Sequence, residues 1–316
     1  MVRPPEAGDV KMILLLSCTA GGKTAVSLEL ADRLNAEILC IDSMQIYRRM
    51  NIGTAKPTPA ELARAPHHMI DVAEPSEAFS AARFVEMADR AIAEITSRSR
   101  SVLALAGTPL YLMALMYGMF DGPSADESLR SALRDRARRE GTPALHAELV
   151  KVDPEASRRI HPNDYKRIER ALEVWQVTGR PLSEQQQQWS AEAMRYPATI
   201  VGIRRQKEDN SRRINARVKA MIEAGLVDEV RSLLSEPPGL GEQARQALGY
   251  AQIIAHLQGK LSLEEAVEQI KIQTRRLAKH QRTWFRKFTS TRWVDIEEGM
   301  AAPLIADRLW ASIQTS

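Results

Sequence analysis

The sequence predicts an α/β fold, a parallel sheet flanked by helices with an all-helical insertion domain, on three observations. Short apolar runs at Met12–Ser17, Glu37–Ile41, Val102–Ala106 and Thr199–Ile203, with a further candidate at Arg292–Ile296, have the length of buried strands. Helical periodicity fills most of the remainder, and alternating strand and helix near the N-terminus calls for crossover helices over parallel strands. Between Gly122 and Arg195 no strand pattern occurs, only helices broken at Gly141, Pro154, Pro162 and Gly179-Arg180-Pro181. The expected organisation is residues 10–121 as the first part of the core, 122–195 as the helical insertion and 196–316 as the return to the core.

The first strand runs into Ser17-Cys18-Thr19-Ala20-Gly21-Gly22-Lys23-Thr24, and an amphipathic run, Ala25–Leu34, follows. Strand, glycine loop and helix in that order aim backbone N–H groups and a helix N-terminus at a phosphate. Lys23 adds a point charge, and the Thr24 hydroxyl can ligate Mg²⁺. This makes the expected core P-loop NTPase-like, with nucleotide or ATP binding as the reading of the motif alone. The general pattern places Gly where Ser17 stands. The second strand ends in Asp42-Ser43-Met44-Gln45, at the sheet edge where ligands bind in such folds. Asp42 there suits Mg²⁺ binding or general base work, or simply an N-cap. The third strand ends in Ala106-Gly107-Thr108, where Gly107 permits close backbone approach.

Ser80 is expected to cap a helix through Ser97, and a long helix is expected over Ser262–Arg286. A terminal helix is expected within Gly299–Ser316, and Gln185 to Gln188 reads as a solvated helix end. His67 and His68 invite a metal reading, but with no third ligand nearby, packing or hydrogen bonding is expected instead.

The 316 residues carry a net charge of +4, an apolar fraction of 44% and only two cysteines. Cys18 and Cys40 exclude a disulfide framework or a cysteine zinc finger and are expected to be reduced. Met12–Leu16 is too short for a signal segment or a membrane span, so a cytoplasmic protein with no membrane association is expected. Lys271 to Lys287 holds seven Lys or Arg and no acid. Arg275, Lys279, Arg282 and Arg286 share a helical face there, suited to a polyphosphate or a nucleic-acid backbone, or simply to solvent. Further basic clusters lie at Arg130–Arg139 and Arg158–Arg170, with Arg213 and Arg217 a same-face pair.

Taken together, the segments CTAGGKTAVSLELA, DSMQIYRRMNIGTAKP, PHHMIDV, AGTPLYL, PSADESLR, RIHPNDYKRIERALEV, TGRPLSE, RINARVKAMIEAGLVDEV, QALGY and TRRLAKHQRTWFR resemble one family in its own order. That family is the tRNA dimethylallyltransferases, the bacterial-type tRNA isopentenyltransferases. The resemblance implies transfer of a dimethylallyl group from dimethylallyl diphosphate to N6 of the adenosine 3′-adjacent to the anticodon (position 37), in tRNAs reading codons that start with U. It implies that Ser17 through Thr24 hold the diphosphate, with Mg²⁺ on Thr24. Asp42 would be the general base, with Lys23, Thr19 and Arg217 as further catalytic candidates. Asp42, Ser43, Met44, Gln45, Thr108 and Arg130 would contact tRNA. So would Lys166, Arg167, Ile168, Glu169 and Arg170, and Gln246, Ala247, Leu248, Gly249 and Tyr250. The partners would be the tRNA anticodon stem-loop and dimethylallyl diphosphate, and the clamp on RNA needs one chain, so a monomer is expected.

The family usually reads Gly-Pro-Thr-Ala-Ser-Gly-Lys-Thr in the loop; here Ser17, Cys18 and Gly21 replace its Gly, Pro and Ser. Ser17 is expected to strain the loop, because left-handed backbone costs a non-glycine residue about 1 kcal/mol. Gly21 removes a hydroxyl donor. Ala106 replaces a Gly, and Ala251 a Lys or Arg. Other readings are a P-loop small-molecule kinase, an adenylate isopentenyltransferase making cytokinin, and an RNA-binding protein with a degraded loop; the retained Lys23, Thr24 and Asp42 argue against the last.

Overall fold

The computed structural model describes residues 11–119, 122–123, 126–185 and 194–314. Residue 10 and Gln186 to Gln188 lie outside them, as do Ser124 and Ala125 of the PSADESLR segment. The chain forms two compact units, Met1–Met116 with Arg195–Ser316, and Tyr117–Met194.

The first unit is built on six strands, all parallel, in the order β3-β2-β4-β1-β5-β6. These are β1 (Met12–Leu16), β2 (Ala36–Ile41), β3 (His67–His68), β4 (Ser101–Ala106), β5 (Ala198–Arg205) and β6 (Arg292–Ile296). β1 sits between β4 and β5, with Leu14 opposite Ala104 on one side and Ile200 on the other. All five of its residues are buried, which explains a continuous apolar run where a half-exposed strand would alternate. Each such side chain contributes roughly 1.5–3 kcal/mol on burial, so the strand that feeds the glycine loop is also among the most firmly held.

Helix α1 (Lys23–Leu34) packs its Leu28, Leu30 and Ala31 into one core with Ile305, Ala306 and Leu309 of α15 (Ala302–Gln314). Helix α3 (Ala81–Ser97) is capped by the Ser80 side chain, which accepts from the Arg83 amide, and buries Phe84, Ala88 and Ile92. β3 was not expected. Two residues carry no periodic signal, and it is the sheet that pulls His67 and His68 into register with Ile38 and Leu39. His68 Nε2 lies 2.7 Å from Glu37 Oε2, a carboxylate that also takes Arg98. His68 is therefore tied by a hydrogen bond near the amino end of β2, and His67 Nδ1 lies 2.8 Å from Ala65 O.

The second unit contains α5 (Glu127–Glu140), α6 (Thr142–Val152), α7 (Pro154–Arg159), α8 (Tyr165–Thr178) and α9 (Leu182–Gln185). The expected breaks fall between these helices; Gly179 ends α8 at φ 70°, a conformation that glycine adopts without penalty. Leu133, Leu145, Leu149, Ile168, Leu172 and Leu182 form its core. Asp153, fully buried, accepts from the Ala156 amide at 2.9 Å and the Ser183 amide at 2.9 Å. Arg195, expected in the insertion, instead belongs to the first unit, where it pairs with Asp89 at 2.7 Å.

The buried Glu173 carboxylate ties this helical unit together: it accepts from Arg130 Nε at 2.8 Å, Arg170 Nη1 at 2.6 Å and the Asp126 amide at 2.9 Å. Glu173→Ala would orphan all three donors. Because both arginines stay about one-third in water, the expected loss is about 2 kcal/mol, below that of a fully buried pair. Urea unfolding of the variant against the parent measures it.

Candidate active site

The glycine loop is held from outside. Asn210 Nδ2 donates to Thr19 O at 3.0 Å, Arg213 Nε to Ala20 O at 2.8 Å and Arg205 Nε to Gly21 O at 2.9 Å. These come from the end of β5 and from α10 (Lys207–Glu223). In a planar trans peptide the C=O and the following N–H point opposite ways. Fixing three successive carbonyls outward therefore turns the amides that follow them, notably those of Ala20 and Gly22, away from α10. Gly22, at φ 99°, is the N-cap of α1, and Ala20 takes φ 60°. The left-handed strain thus falls on Ala20, not on Ser17 as expected: the turn reverses three residues later than the sequence pattern suggests.

Lys23 Nζ donates to Ser17 O at 2.5 Å. Burial lowers its pKa to about 8, against the opposing pull of Cys18 and Asp42. Arg217 Nη1 reaches Thr19 Oγ1 at 3.3 Å; burial first, and Arg213 second, lower its pKa. Among the described residues Arg217 has no carboxylate partner. A half-buried cation left unpaired beside a loop of inward amides is an anion site.

Asp42 stands at the carboxyl end of β2. Its Oδ1 accepts from the Met44 amide at 2.8 Å and the Gln45 amide at 3.2 Å, capping a turn rather than a helix. Its Oδ2 has no hydrogen-bond partner among the described residues. A Cβ added at Gly107 would lie 2.5 Å from that oxygen, which is the physical reason for glycine there. Burial raises the Asp42 pKa, opposed by the two amides and by Lys23. Thr108 Oγ1 accepts from the Ser43 amide at 2.8 Å. Gln281, on α14 (Leu263–Phe285), spans both ledges: its Oε1 accepts from the Thr19 amide at 2.7 Å and its Nε2 donates to Gly107 O at 2.6 Å.

The loop from Cys18 to Thr24, the ledge Asp42 to Gln45, Thr108, Arg217 and the segment Gln246 to Gly249 line one cavity of ≈ 370 Å³. Leu105, Val218, Met221, Ile270 and Leu277 supply an apolar wall. This polar end and apolar end suit a small amphiphilic phosphate ester.

Several expected contacts are not available. Tyr250 is fully buried; its hydroxyl donates to Glu229 Oε1 at 2.6 Å and its ring packs on Gly53. Glu229 also accepts from the Asn51, Ile52 and Gly53 amides, so Tyr250 anchors a loop. The Gln45 side-chain Nε2 donates to Thr54 O and Ala55 O, both at 3.2 Å. Ile168 is a core residue of the helical unit, since an aliphatic side chain gains more by burial. Glu169 accepts from the Tyr165 hydroxyl, and Arg130 and Arg170 share Glu173, whereas Arg167, though paired with Asp164, keeps a 65% exposed side chain. The basic helix is also less open than its sequence suggests, because Glu268 takes Lys271 and Arg275. Arg282 lies 3.3 Å from Asn210 Oδ1 and 3.8 Å from Cys18 Sγ, placing this face of α14 behind the loop.

With that geometry in place, known proteins are informative. The IPP transferase family model matches residues 45–288. The chain belongs to the IPP transferase family. A tRNA dimethylallyltransferase of Geobacter metallireducens is 45% identical over 290 residues, covering 92% of this chain and 94% of that one. One of Anaeromyxobacter dehalogenans is 44% identical, covering 90% and 95%. The crystal structure of the full-length tRNA isopentenylpyrophosphate transferase from Bacillus halodurans is 37% identical, covers 96% of this chain and 97% of that one, and superposes with a TM-score of 0.68. A eukaryotic dimethylallyltransferase, described as acting on tRNA, superposes at 0.75 with 27% identity, covering 90% and 74%.

Within this IPP transferase, sequence reasoning missed Arg205, Asn210 and Gln281. Arg205 ends a strand at the ligand edge and Gln281 sits among basic residues, so position and pattern hinted at both. Asn210 carried no signal of its own.

Lys23 generates a pH dependence. Its folded pKa is about 8, so it is charged below that value and neutral above. Pyrophosphate affinity is expected to fall as pH rises through about 8. Titration calorimetry on the parent and on Lys23→Met isolates this limb, which the variant loses.

Proposed function

We propose that this IPP transferase moves the dimethylallyl group of dimethylallyl diphosphate onto N6 of the tRNA adenosine 3′ of the anticodon, at position 37, in tRNAs reading codons that begin with U. The observation that carries the reading is the shared cavity: a carboxylate with one free oxygen and a phosphate loop with unpaired cations face the same ≈ 370 Å³. The names of the relatives, all tRNA-modifying, favour RNA over free adenylate or a kinase substrate.

The C1–O bond to the diphosphate breaks and a C1–N6 bond forms. The leaving diphosphate takes the electron pair, and its growing charge meets Lys23, Arg217, Thr19 and the loop amides of residues 18 to 24. The adenine amine loses a proton as it attacks, and Asp42 Oδ2 receives it. The amides on Oδ1 aim that carboxylate; its raised pKa makes it a stronger base than an exposed Asp. The apolar wall excludes water, which would otherwise capture the allylic carbon.

Thr24, in the first turn of α1, would help hold Mg²⁺, which would offset the negative charge growing on the leaving diphosphate. Ser43, Met44, Thr108, Gln246, Ala247, Leu248 and Gly249 line the cavity where the flipped adenosine would sit. Exposed basic residues of the helical unit, among them Arg167, would grip the anticodon stem-loop through its backbone. We take the working unit as a monomer, because a clamp on RNA needs only one chain. Among the described residues no helix is long and apolar enough to cross a membrane; a tRNA substrate would place the reaction in the cytoplasm.

Labelled dimethylallyl diphosphate, an anticodon stem-loop and Mg²⁺ test the reading with Asp42→Ala alongside. Label in RNA is expected, reduced about 10²–10⁴-fold in the variant. Label on free AMP alone would overturn it. Gly107→Ala should push the Asp42 carboxylate aside and lower the rate about 10²-fold, leaving pyrophosphate affinity near that of the parent. The rate should fall as pH drops through the raised Asp42 pKa, since the base must be ionised; this limb lies above the ordinary carboxylate range.

A further inference from the structure

Ser17 and Gly21 bracket the first turn of the phosphate loop. The Gly21 amide donates to Cys18 O at 3.0 Å, closing the turn and folding residue 21 back over residue 17. Ser17 is 1% exposed, and its hydroxyl donates to Cys18 O at 3.4 Å. A Cβ on Gly21 would lie 1.9 Å from Ser17 Oγ, 3.1 Å from Ser17 Cβ and 2.9 Å from Cys18 O. No two unbonded heavy atoms sit 1.9 Å apart. The Ser17 hydroxyl and a side chain at position 21 therefore compete for one volume, and the packed surroundings of Ser17 leave little room to turn aside.

We infer that Ser17 and Gly21 form one coupled positioning pair: Ser17 fills, from the strand side, the space that a residue 21 side chain would take, and so dictates glycine there. The two loop positions that depart from the Gly and Ser of the resembling family are then a single compensated exchange. The pair positions Lys23 as well, because the Ser17 carbonyl receives its ammonium at 2.5 Å. A side chain at 21 alone opens the turn and carries that carbonyl with it. The consequence for binding rests on the reading of this loop as a diphosphate cradle.

The test is a double-mutant cycle on the full chain with Gly21→Ser, Ser17→Gly and the double variant. Calorimetry with inorganic pyrophosphate and Tm of the ligand-free protein are the two readouts. Gly21→Ser is expected to weaken pyrophosphate binding by about tenfold or more and to lower Tm. The double variant should bind pyrophosphate about threefold or more better than Gly21→Ser and regain part of its Tm, the 2.9 Å approach of a residue 21 Cβ to Cys18 O keeping it below the parent. Effects of the two changes that simply multiply, with the double variant no better than Gly21→Ser, would overturn the coupling. A parent that binds no pyrophosphate would defeat the cradle reading instead, and the Tm cycle would still decide the pair.

Discussion

The site depends on the outward tethering of the Thr19, Ala20 and Gly21 carbonyls by Asn210, Arg213 and Arg205. A glycine-rich loop has many conformations, and glycine loses more entropy on ordering than any other residue. Three side chains from the β5–α10 junction select one conformation before any ligand arrives. The Arg213 guanidinium also raises the local positive charge, whereas that of Arg205 is paired with Asp209 at 3.1 Å. One set of contacts therefore supplies both the shape and the field of the anion site, which lowers the reorganisation needed when the leaving group becomes more negative.

Charge at the cavity is deliberately unbalanced. In the helical unit most cations have partners: Arg130 and Arg170 on Glu173, Arg136 on Glu148, Arg167 on Asp164. Beside the loop, Arg217 and Lys23 are bonded to neutral oxygens instead. Both carry the mark of desolvation in a lowered pKa. Asp42 shows the mirror effect, raised by burial yet aimed by two amides. Opposed shifts of a carboxylate and two cations in one cavity support the proposed acid–base work.

Gln281 connects the two halves of this arrangement. By accepting from the Thr19 amide and donating to Gly107 O, it fixes the spacing between the phosphate loop and the ledge beside Asp42. Transfer between a diphosphate and an amine depends on that spacing, since small misplacements of reacting groups are costly. The basic helix α14 thus serves the site from behind through Gln281 and Arg282, as well as presenting charge.

The sequence by itself determined the parallel sheet, the phosphate loop, Asp42 at a strand end and the all-helical segment, because each is written in local periodicity or in a contiguous motif. β3 and its pairing were decided by the sheet alone, since two residues carry no period. The roles of Asn210, Arg205 and Gln281 were decided by tertiary structure: their partners lie 191, 184 and 262 positions away in the chain. The same holds for Tyr250 and Ile168, whose motifs named them as contacts but whose burial makes them supports. A sequence motif records which residues a site keeps; only packing distinguishes a group that touches a ligand from one that holds its neighbour in place.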